Sequence, residues 1–314
     1  MSEQPGRREE AGPREERGRP GRPAEASPSL RDPVVLAAFE GWNDAAEAAS
    51  GALDHLARVW GETTFAELDP EEYHDFQVNR PVTGFDEEGR RRTTWPTTRL
   101  AWARPPGGER DVVLVHGIEP SMRWRSYTAE LLAHADAVGA RTVVTLGALL
   151  ADVPHTRPIP ITSTGSSADG GPGLDHLALE PSRYEGPTGI VGVVADAAAG
   201  HGLASVSLWA AVPHYVGQSP SPKAVLALLG RVEEVLGAPV PLEDLAEEAE
   251  AWERGVDELA GEDEEIGEYV QQLEQAKDTV ELPEASGEAI AREFERYLRR
   301  RGDDGPRRGP APPA

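Results

Sequence analysis

The sequence contains no cysteine, which excludes disulfide bonds, thiolate metal ligands and cysteine nucleophiles. Long hydrophobic runs are also missing. The longest, residues 190–203, is interrupted by Asp196, His201 and glycines, whereas a membrane span needs roughly 20 continuous apolar residues. The amino-terminal residues have mixed charge and no apolar segment, so they are not typical of a secretory signal peptide. We therefore expect a cytoplasmic protein with no membrane partner.

Clustered basic charge is the next absence. The formal net charge is −24, and residues 242–304 alone hold 22 acidic and 7 basic side chains, a net of −15. Because nucleic-acid binding requires clustered Lys and Arg, we expect no nucleic-acid partner. The acidic side chains are interpreted as the solvated faces of helices, with a docking surface as the alternative. We expect neither a metal site nor a cofactor.

Composition divides the chain into four parts. Residues 1–32 and 302–314 are rich in Pro, Gly and charge, which predicts disordered tails. Residues 33–238 alternate apolar strands with helices, which predicts an α/β core with a three-layer, mostly parallel sheet. Within the core, β-branched and aromatic residues predict a hairpin excursion over about residues 77–102. Residues 239–301 predict an acidic helical unit that could act as a lid.

The predicted elements follow from apolar runs and helix signals. Residues 186–194 are interpreted as a strand or a strand–helix junction. Each helix after residue 241 carries one narrow apolar stripe, so we expect this unit to pack against the core or against itself. Strands are predicted at residues 34–39, 63–68, 111–116, 142–146, 159–164 and 204–212, and helices at residues 45–60, 123–138, 222–236, 242–259, 266–282 and 285–298.

Several familiar catalytic motifs are missing, among them G-x-S-x-G, G-x-x-x-x-G-K-[ST] and H-E-x-x-H. The remaining candidates are polar residues that follow predicted parallel strands, because an open α/β sheet binds ligands at the carboxyl ends of its strands. Four sets of residues meet this description and are candidate ligand-binding residues. They are Glu40, Trp42, Asn43 and Asp44; Glu119, Arg123 and Trp124; Asp152, His155 and Arg157; and His214.

Each set also has a structural interpretation. Asn43 or Asp44 could simply cap the helix that follows. The arginines of the second set could hold a carboxylate or phosphate, or form ion pairs with the acidic helices. A loop histidine is more often a hydrogen-bonding residue than a base. The Ser and Thr hydroxyls within residues 162–166 could pair with His155 or His214 as a nucleophile, which is the less favoured interpretation.

Four ordered motifs lie between residues 39 and 158. They are Phe-Glu-Gly-Trp-Asn-Asp-Ala at residues 39–45, the run at residues 68–81, His-Gly-Ile-Glu-Pro at residues 116–120 with Arg123 and Trp124, and the run at residues 146–158. Together they resemble the PAC2 family over about residues 33–300, in its actinobacterial branch. This is the family of proteasome assembly chaperone 2 and its archaeal and actinobacterial relatives.

The resemblance implies a core like that of purine nucleoside phosphorylases and related hydrolases. It also implies a β-hairpin used for oligomerisation, often as a trimer, and a C-terminal helical unit over the ligand cleft. Eukaryotic family members chaperone the assembly of proteasome α-rings, so the resemblance makes proteasome subunits, or another protein, the expected partners. Some end in a hydrophobic-Tyr-X tail that inserts between α subunits. This chain ends Pro-Ala-Pro-Pro-Ala, so we do not expect docking through such a tail.

Three functions remain open from the sequence. The favoured one is a non-enzymatic assembly chaperone or adaptor that forms homo-oligomers. The alternative is a protein that binds a small-molecule ligand, or an enzyme of the phosphorylase or hydrolase type, with the acidic helices as a lid over the cleft. The third is an acidic oligomeric scaffold without a ligand. Fold does not decide among them, since one fold supports many functions.

Overall fold

The structure, a computed structural model, places nine strands in the part of the chain that it describes. That part comprises residues 27–86, 88–166, 174, 177 and 179–281. The strands are β1 (Val34–Glu40), β2 (Thr63–Glu67), β3 (Val82–Phe85), β4 (Arg91–Thr94), β5 (Arg99–Ala103), β6 (Val112–Ile118), β7 (Thr142–Ala151), β8 (Ile161–Ser166) and β9 (Ala204–Pro213).

Seven of these strands form one sheet in the order β2-β5-β6-β1-β7-β9-β8. The four central strands β6, β1, β7 and β9 are parallel to one another. Antiparallel pairs flank them, since β5 is antiparallel to both β6 and β2, and β8 is antiparallel to β9. The predicted mostly parallel sheet is confirmed, with antiparallel strands added at its two sides.

Helices cover both faces of the sheet, which confirms three layers. One core cluster joins α1 and α5 to the side chains of Val34 and Leu36, and a second joins α3 and α4 to Val35 and Ala37. None of the described helices is long and apolar enough to cross a bilayer. The helices are α1 (Ala48–Trp60), α2 (Pro70–Tyr73), α3 (Trp124–Ala137), α4 (Ile190–Gly200), α5 (Pro222–Leu236), α6 (Leu245–Glu262) and α7 (Glu264–Glu281).

The acidic helices α6 and α7 belong to the predicted helical unit. Helix α6 packs on α5, and its apolar stripe places Leu245, Ala249 and Val256 in buried positions. Helix α7 packs on α6 and buries Val270. The stripe is therefore covered as expected. The third predicted helix, residues 285–298, lies outside the described residues.

The predicted hairpin over residues 77–102 is shorter in the structure. Strands β3 and β4 form a separate two-stranded sheet, whereas β5 pairs with β2 and β6 in the main sheet. Strand β5 buries Leu100, Ala101 and Ala103, so its apolar side chains serve the core. The aromatic and β-branched pattern over residues 77–102 resembles that of a hairpin. The sequence alone therefore did not distinguish β5 from β3 and β4.

Three other boundaries differ from the predictions. Residues 186–194 contain no described strand, because helix α4 starts at Ile190 directly after Gly189. Strand β7 continues to Ala151, beyond the predicted end at residue 146, because it stays paired with β9. The predicted helix over residues 45–60 begins with a 3₁₀ turn and a break at Ala46, which has a positive φ of 53°.

The amino-terminal tail was predicted to be disordered through residue 32, and this boundary is too late. The backbone N–H and the guanidinium of Arg31 bond to Asp111, and Asp32 pairs with Arg110 and Arg141. Residues 1–26 and 302–314 lie outside the described residues. Residues 167–173 also lie outside them.

Asp111 links this amino-terminal segment to the start of β6. Its carboxylate is fully buried and accepts from the backbone N–H of Arg31 at 2.8 Å and from the Arg31 Nη2 at 2.9 Å. Burial alone would raise the pKa of Asp111, but the bonds from Arg31 and the charges of Arg31 and Arg104 lower it below its usual value.

We predict that Asp111→Asn lowers the free energy of unfolding by about 1–3 kcal/mol at neutral pH. The folded pKa is lower than the unfolded value of about 3.9, so the carboxylate stabilises the fold above that value. This contribution is lost as the pH falls through the folded pKa. Urea denaturation at pH 7 and pH 3 should therefore show a smaller difference between the two proteins at pH 3. An equal difference at both pH values would contradict this account.

Candidate functional site

The turn after β1 is shaped by the side chain of Asp44. Its Oδ1 accepts from the backbone N–H groups of Ala49 at 2.7 Å and Ser50 at 3.1 Å, and its Oδ2 accepts from the Ser50 hydroxyl at 2.5 Å. Burial raises the pKa of Asp44, although these bonds oppose the rise. Asp44 therefore holds the start of α1, which is its capping interpretation.

Asn43 fixes the same turn to the neighbouring strand. Its backbone carbonyl accepts from the Ala148 N–H of β7 at 2.8 Å. Its side chain is only 8% exposed, and Oδ1 has no hydrogen-bond partner among the described residues. The Oδ1 atom lies against Gly189, where a Cβ atom would come within 1.8 Å of it. Asn43 is thus packed into the junction between β1, β7 and α4.

Glu119 completes this junction from the end of β6. Its backbone N–H donates to the Glu40 carbonyl at 2.9 Å, and its Oε1 accepts from the Ile190 N–H at 2.8 Å. The carboxylate therefore occupies the amino terminus of α4, where the helix dipole favours negative charge. A phosphate or carboxylate ligand would meet this negative charge at the same place. The arrangement is suited to holding α4 against the sheet rather than to binding an anion.

Glu40 and Trp42 lie in different environments, one among other carboxylates and the other in solvent. Burial raises the pKa of Glu40, and the carboxylates of Asp44, Asp54 and Glu47 raise it further. Trp42 is 63% exposed at the carboxyl edge of the sheet. The first predicted set is therefore divided into a capping residue, a packed amide, an acid beside other acids and an exposed aromatic ring.

The second predicted set is only partly brought together. The Arg123 guanidinium forms an ion pair with Glu72 of α2, and the Trp124 indole N–H donates to the Pro120 carbonyl. The expected ion pairs with the acidic helices are therefore wrong for Arg123, whose acidic partner belongs to the core. These contacts hold the start of α3 beside α2. Glu119 does not take part in them, because its carboxylate contacts α4.

The third and fourth sets meet at the ends of β7 and β9, where they contact the helical unit. Both ring nitrogens of His155 are occupied, since Nδ1 lies 2.8 Å from the Tyr215 hydroxyl and Nε2 lies 3.0 Å from Asp257 Oδ1. His155 is 1% exposed. Burial raises the pKa of Tyr215 to about 12, so its hydroxyl stays protonated at neutral pH. Tyr215 can then donate to Nδ1 while the opposite N–H donates to Asp257.

Other side chains of the same loop make similar contacts with the helical unit. Asp152 Oδ1 accepts from the Tyr269 hydroxyl at 3.0 Å and lies 3.4 Å from His214 Nδ1. Arg157 pairs with Glu274 at 3.3 Å and Asp278 at 2.9 Å in α7. We call this group of contacts, made by residues 152–157 and 214–215 with α6 and α7, the docking seam.

The nucleophilic interpretation of the loop histidines is wrong for His155. Its two nitrogens are taken by Tyr215 and Asp257, and the Ser163 hydroxyl accepts instead from Arg231 at 2.9 Å. Across the described residues, no group of three or more His, Asp or Glu side chains is placed to hold a metal ion. Small-molecule binding by the eleven candidate residues stays a prediction.

Sequence reasoning missed the partners of the docking seam. Lys223 donates to the His155 carbonyl and to Glu253 of α6, both at 2.5 Å. Lysine occurs only twice in the chain, and this rarity could have marked Lys223 as a candidate contact residue. The acidic partners carried no such signal, because helices α6 and α7 contain many similar carboxylates.

Gly189 provides a test of the junction. We predict that Gly189→Ala lowers the free energy of unfolding by about 1–3 kcal/mol, because its Cβ would overlap Asn43 Oδ1 and lie 2.8 Å from Glu119 Oε1. Gly200→Ala is the matched control, since a Cβ at Gly200 in the same helix meets no atom within 4 Å. Thermal or urea denaturation should show little change for the control. Equal effects of both variants would contradict the junction.

The docking seam has its own prediction. His155→Ala removes both ring contacts and leaves a cavity where a buried ring stood, so it should lower the free energy of unfolding by about 2 kcal/mol. Hydrogen exchange should rise first in α6 and α7. His201→Ala is the control, because this exposed histidine has one surface ion pair, with Asp136, and should change stability by less than about 0.5 kcal/mol. Unchanged exchange in α6 and α7 would contradict the seam.

Comparisons with known proteins agree with this architecture. A PAC2 family protein from Streptomyces avermitilis is 57% identical, with a TM-score of 0.69 over 76% of this chain and 100% of that one. A proteasome-assembly chaperone homologue from Mycobacterium tuberculosis is 53% identical, with a TM-score of 0.68 over 76% of this chain and 99% of that one. An archaeal proteasome activator from Pyrococcus furiosus, 18% identical with a TM-score of 0.57 over 74% of this chain and 95% of that one, shares the fold alone.

No curated protein matches the chain. The sequence model of the PAC2 family matches residues 38–260. This match extends from within β1, through the junction and the core residues of the docking seam, to nearly the end of α6, and α7 lies beyond it. The chain belongs to the PAC2 family.

Proposed function

We propose that this protein is a non-enzymatic assembly chaperone or adaptor whose partners are proteasome subunits. The observation that carries the proposal is the 53% identity with the mycobacterial proteasome-assembly chaperone homologue, which extends over nearly the whole of that protein. A protein with these partners would act in the cytoplasm, as the sequence predicts. The specific subunit is a matter for experiment.

Exposed apolar side chains at the carboxyl edge of the sheet support this proposal. Trp42 follows β1, Met122 follows β6, Leu149 and Leu150 lie near the end of β7, and Tyr184 lies shortly before α4. All five are exposed, and we call them the edge surface. Exposed large apolar groups that share one region of a protein often mark a protein interaction site. Aromatic and Met side chains are also enriched in interface cores.

The hairpin supports self-association. Strands β3 and β4 form a sheet of their own, and both strands are exposed along their whole length. Val82 and Phe85 expose large apolar side chains, and Phe76 packs edge-on against Trp95 at 4.8 Å. An isolated two-stranded hairpin is marginally stable in water, so contact with a second copy would stabilise it. We propose that the hairpin forms the homo-oligomer.

The contacts do not favour the small-ligand alternative. Asp152, His155, Arg157 and His214 contact one another or the helical unit, and Glu119 contacts α4. These residues would have to leave existing partners to bind a ligand. Their proposed role is to hold the helical unit and α4 in place beside the edge surface.

Binding to proteasome α-subunits from the same organism tests the proposal. We expect a stable complex in size-exclusion chromatography, and a Trp42→Ala and Tyr184→Ala double variant should weaken its affinity at least tenfold, because buried aromatic residues dominate interface energies. Phe85→Ser is the matched control at an equally exposed apolar position. It should change the oligomeric state and leave the affinity of each subunit within about threefold.

Two results would count against this account. Absence of any complex with proteasome subunits would overturn the proposed partner. A complex that forms but is unaffected by the double variant would overturn the edge surface as the binding site. An unchanged oligomeric state in Phe85→Ser would separately remove the role of the hairpin.

A further inference from the structure

A concave groove lies where the core meets the turn between α6 and α7. Its volume is about 220 Å³. This is smaller than the roughly 300–1,000 Å³ typical of pockets for drug-sized ligands, which favours amino-acid side chains as occupants. Leu259 lines the groove and is nevertheless 56% exposed. The lining residues are Tyr215, Val216, Val256, Leu259, Glu262, Asp263 and Ile266.

The charge around the groove selects a basic occupant. Residues 242–281 contain 16 acidic and 2 basic side chains, a net charge of −14. Glu262 and Asp263 bring two of these carboxylates into the lining itself. An occupant that combines apolar side chains with positive charge would cover Leu259 and relieve the repulsion among the carboxylates.

A segment with this combination follows α7 in the same chain. Residues 290–301, which lie outside the described residues, contain five arginines and two glutamates, a net charge of +3. The segment also contains four large apolar residues. They are Ile290, Phe294, Tyr297 and Leu298.

The chain is long enough to return to the groove. Helix α7 begins beside the groove at Glu264 and ends at Glu281, about 26 Å away at 1.5 Å per residue. The 17 residues from Glu281 to Leu298 span up to about 56 Å when extended. The same residues would span about 26 Å with the rise of a helix, so the segment can reach the groove whether it is extended or helical.

We propose that residues 290–301 dock into this groove in the same molecule, with the apolar side chains near Leu298 against Leu259 and the arginines beside Glu262. The groove is lined by Tyr215, whose hydroxyl bonds to His155 in the docking seam. Docking of the segment therefore supports the attachment of the helical unit to the core. This inference is independent of the proposed chaperone function.

The absence of cysteine makes the test direct, because any disulfide in a double-cysteine variant must use the introduced residues. Leu259→Cys with Leu298→Cys in the full chain should form an intrachain disulfide under mild oxidation. The control is Glu258→Cys with Leu298→Cys, since Glu258 is exposed, adjacent in sequence and absent from the groove lining. A disulfide requires close Cα atoms and suitably directed Cβ atoms, so the control should react at least tenfold more slowly.

The dependence of the disulfide-formation rate on charge provides a second test in the same variant. Glu262→Lys added to the Leu259 pair should slow the reaction several-fold, as should 0.5 M NaCl, which screens the attraction. Equal rates for the Leu259 and Glu258 pairs would overturn the proposal, because the segment would then have no preferred position. Disulfides formed mainly between two molecules would also overturn it, since they would make a second copy the occupant.

Discussion

Strand β1 contributes six consecutive buried residues and pairs in parallel with β6 on one side and β7 on the other. This pairing brings the carboxyl ends of three strands to the same edge of the sheet. The turn after β1 must then leave the sheet between β6 and β7, where Asp44 caps α1 and Asn43 bonds to β7. Helix α4 closes the junction because Gly189 lets its backbone approach Asn43 and Glu119. The positions of the edge surface and the docking seam follow from this arrangement.

The local pattern of apolar residues made much of this fold predictable. The buried runs of β1, β6 and β9 and the amphipathic pattern of α5 are visible in the sequence, as are the caps at Asp44 and Gly61. The pairing of β5 with β2 and β6 was not predictable, because an antiparallel strand of the main sheet and a hairpin strand share one composition. The start of α4 was missed because its apolar residues suit a buried strand equally well.

The candidate residues were correctly placed at strand ends, but their partners were not predictable. Sequence shows that Asp152, His155 and Arg157 follow a strand. It does not show that Tyr269, Asp257 and Asp278 reach them from helices more than 100 residues later. Carboxylates at similar spacing fill both helices, and no local feature distinguishes those that dock from those that face water. Such long-range pairing is determined by the fold as a whole.

The edge of the sheet thus has two parts with different roles. The polar groups that follow β7 and β9 are engaged by the helical unit. The apolar side chains of the edge surface, which follow β1 and β6 or lie near the end of β7 and before α4, are exposed to solvent. Polar groups that already have partners are poor candidates for chemistry, whereas exposed apolar groups lower the free energy of the system when a partner covers them. This contrast supports the proposed binding function of the edge surface.

Hydroxyl-radical footprinting of the protein, alone and in complex with proteasome α-subunits, tests this account most directly. Trp42, Met122 and Tyr184 are exposed and readily oxidised, so each reports on whether the edge surface is covered. The account predicts that these three residues become protected in the complex, while Leu259 and the solvent side of α6 are unchanged. Protection confined to α6 and α7, with the three edge residues still oxidised, would contradict it.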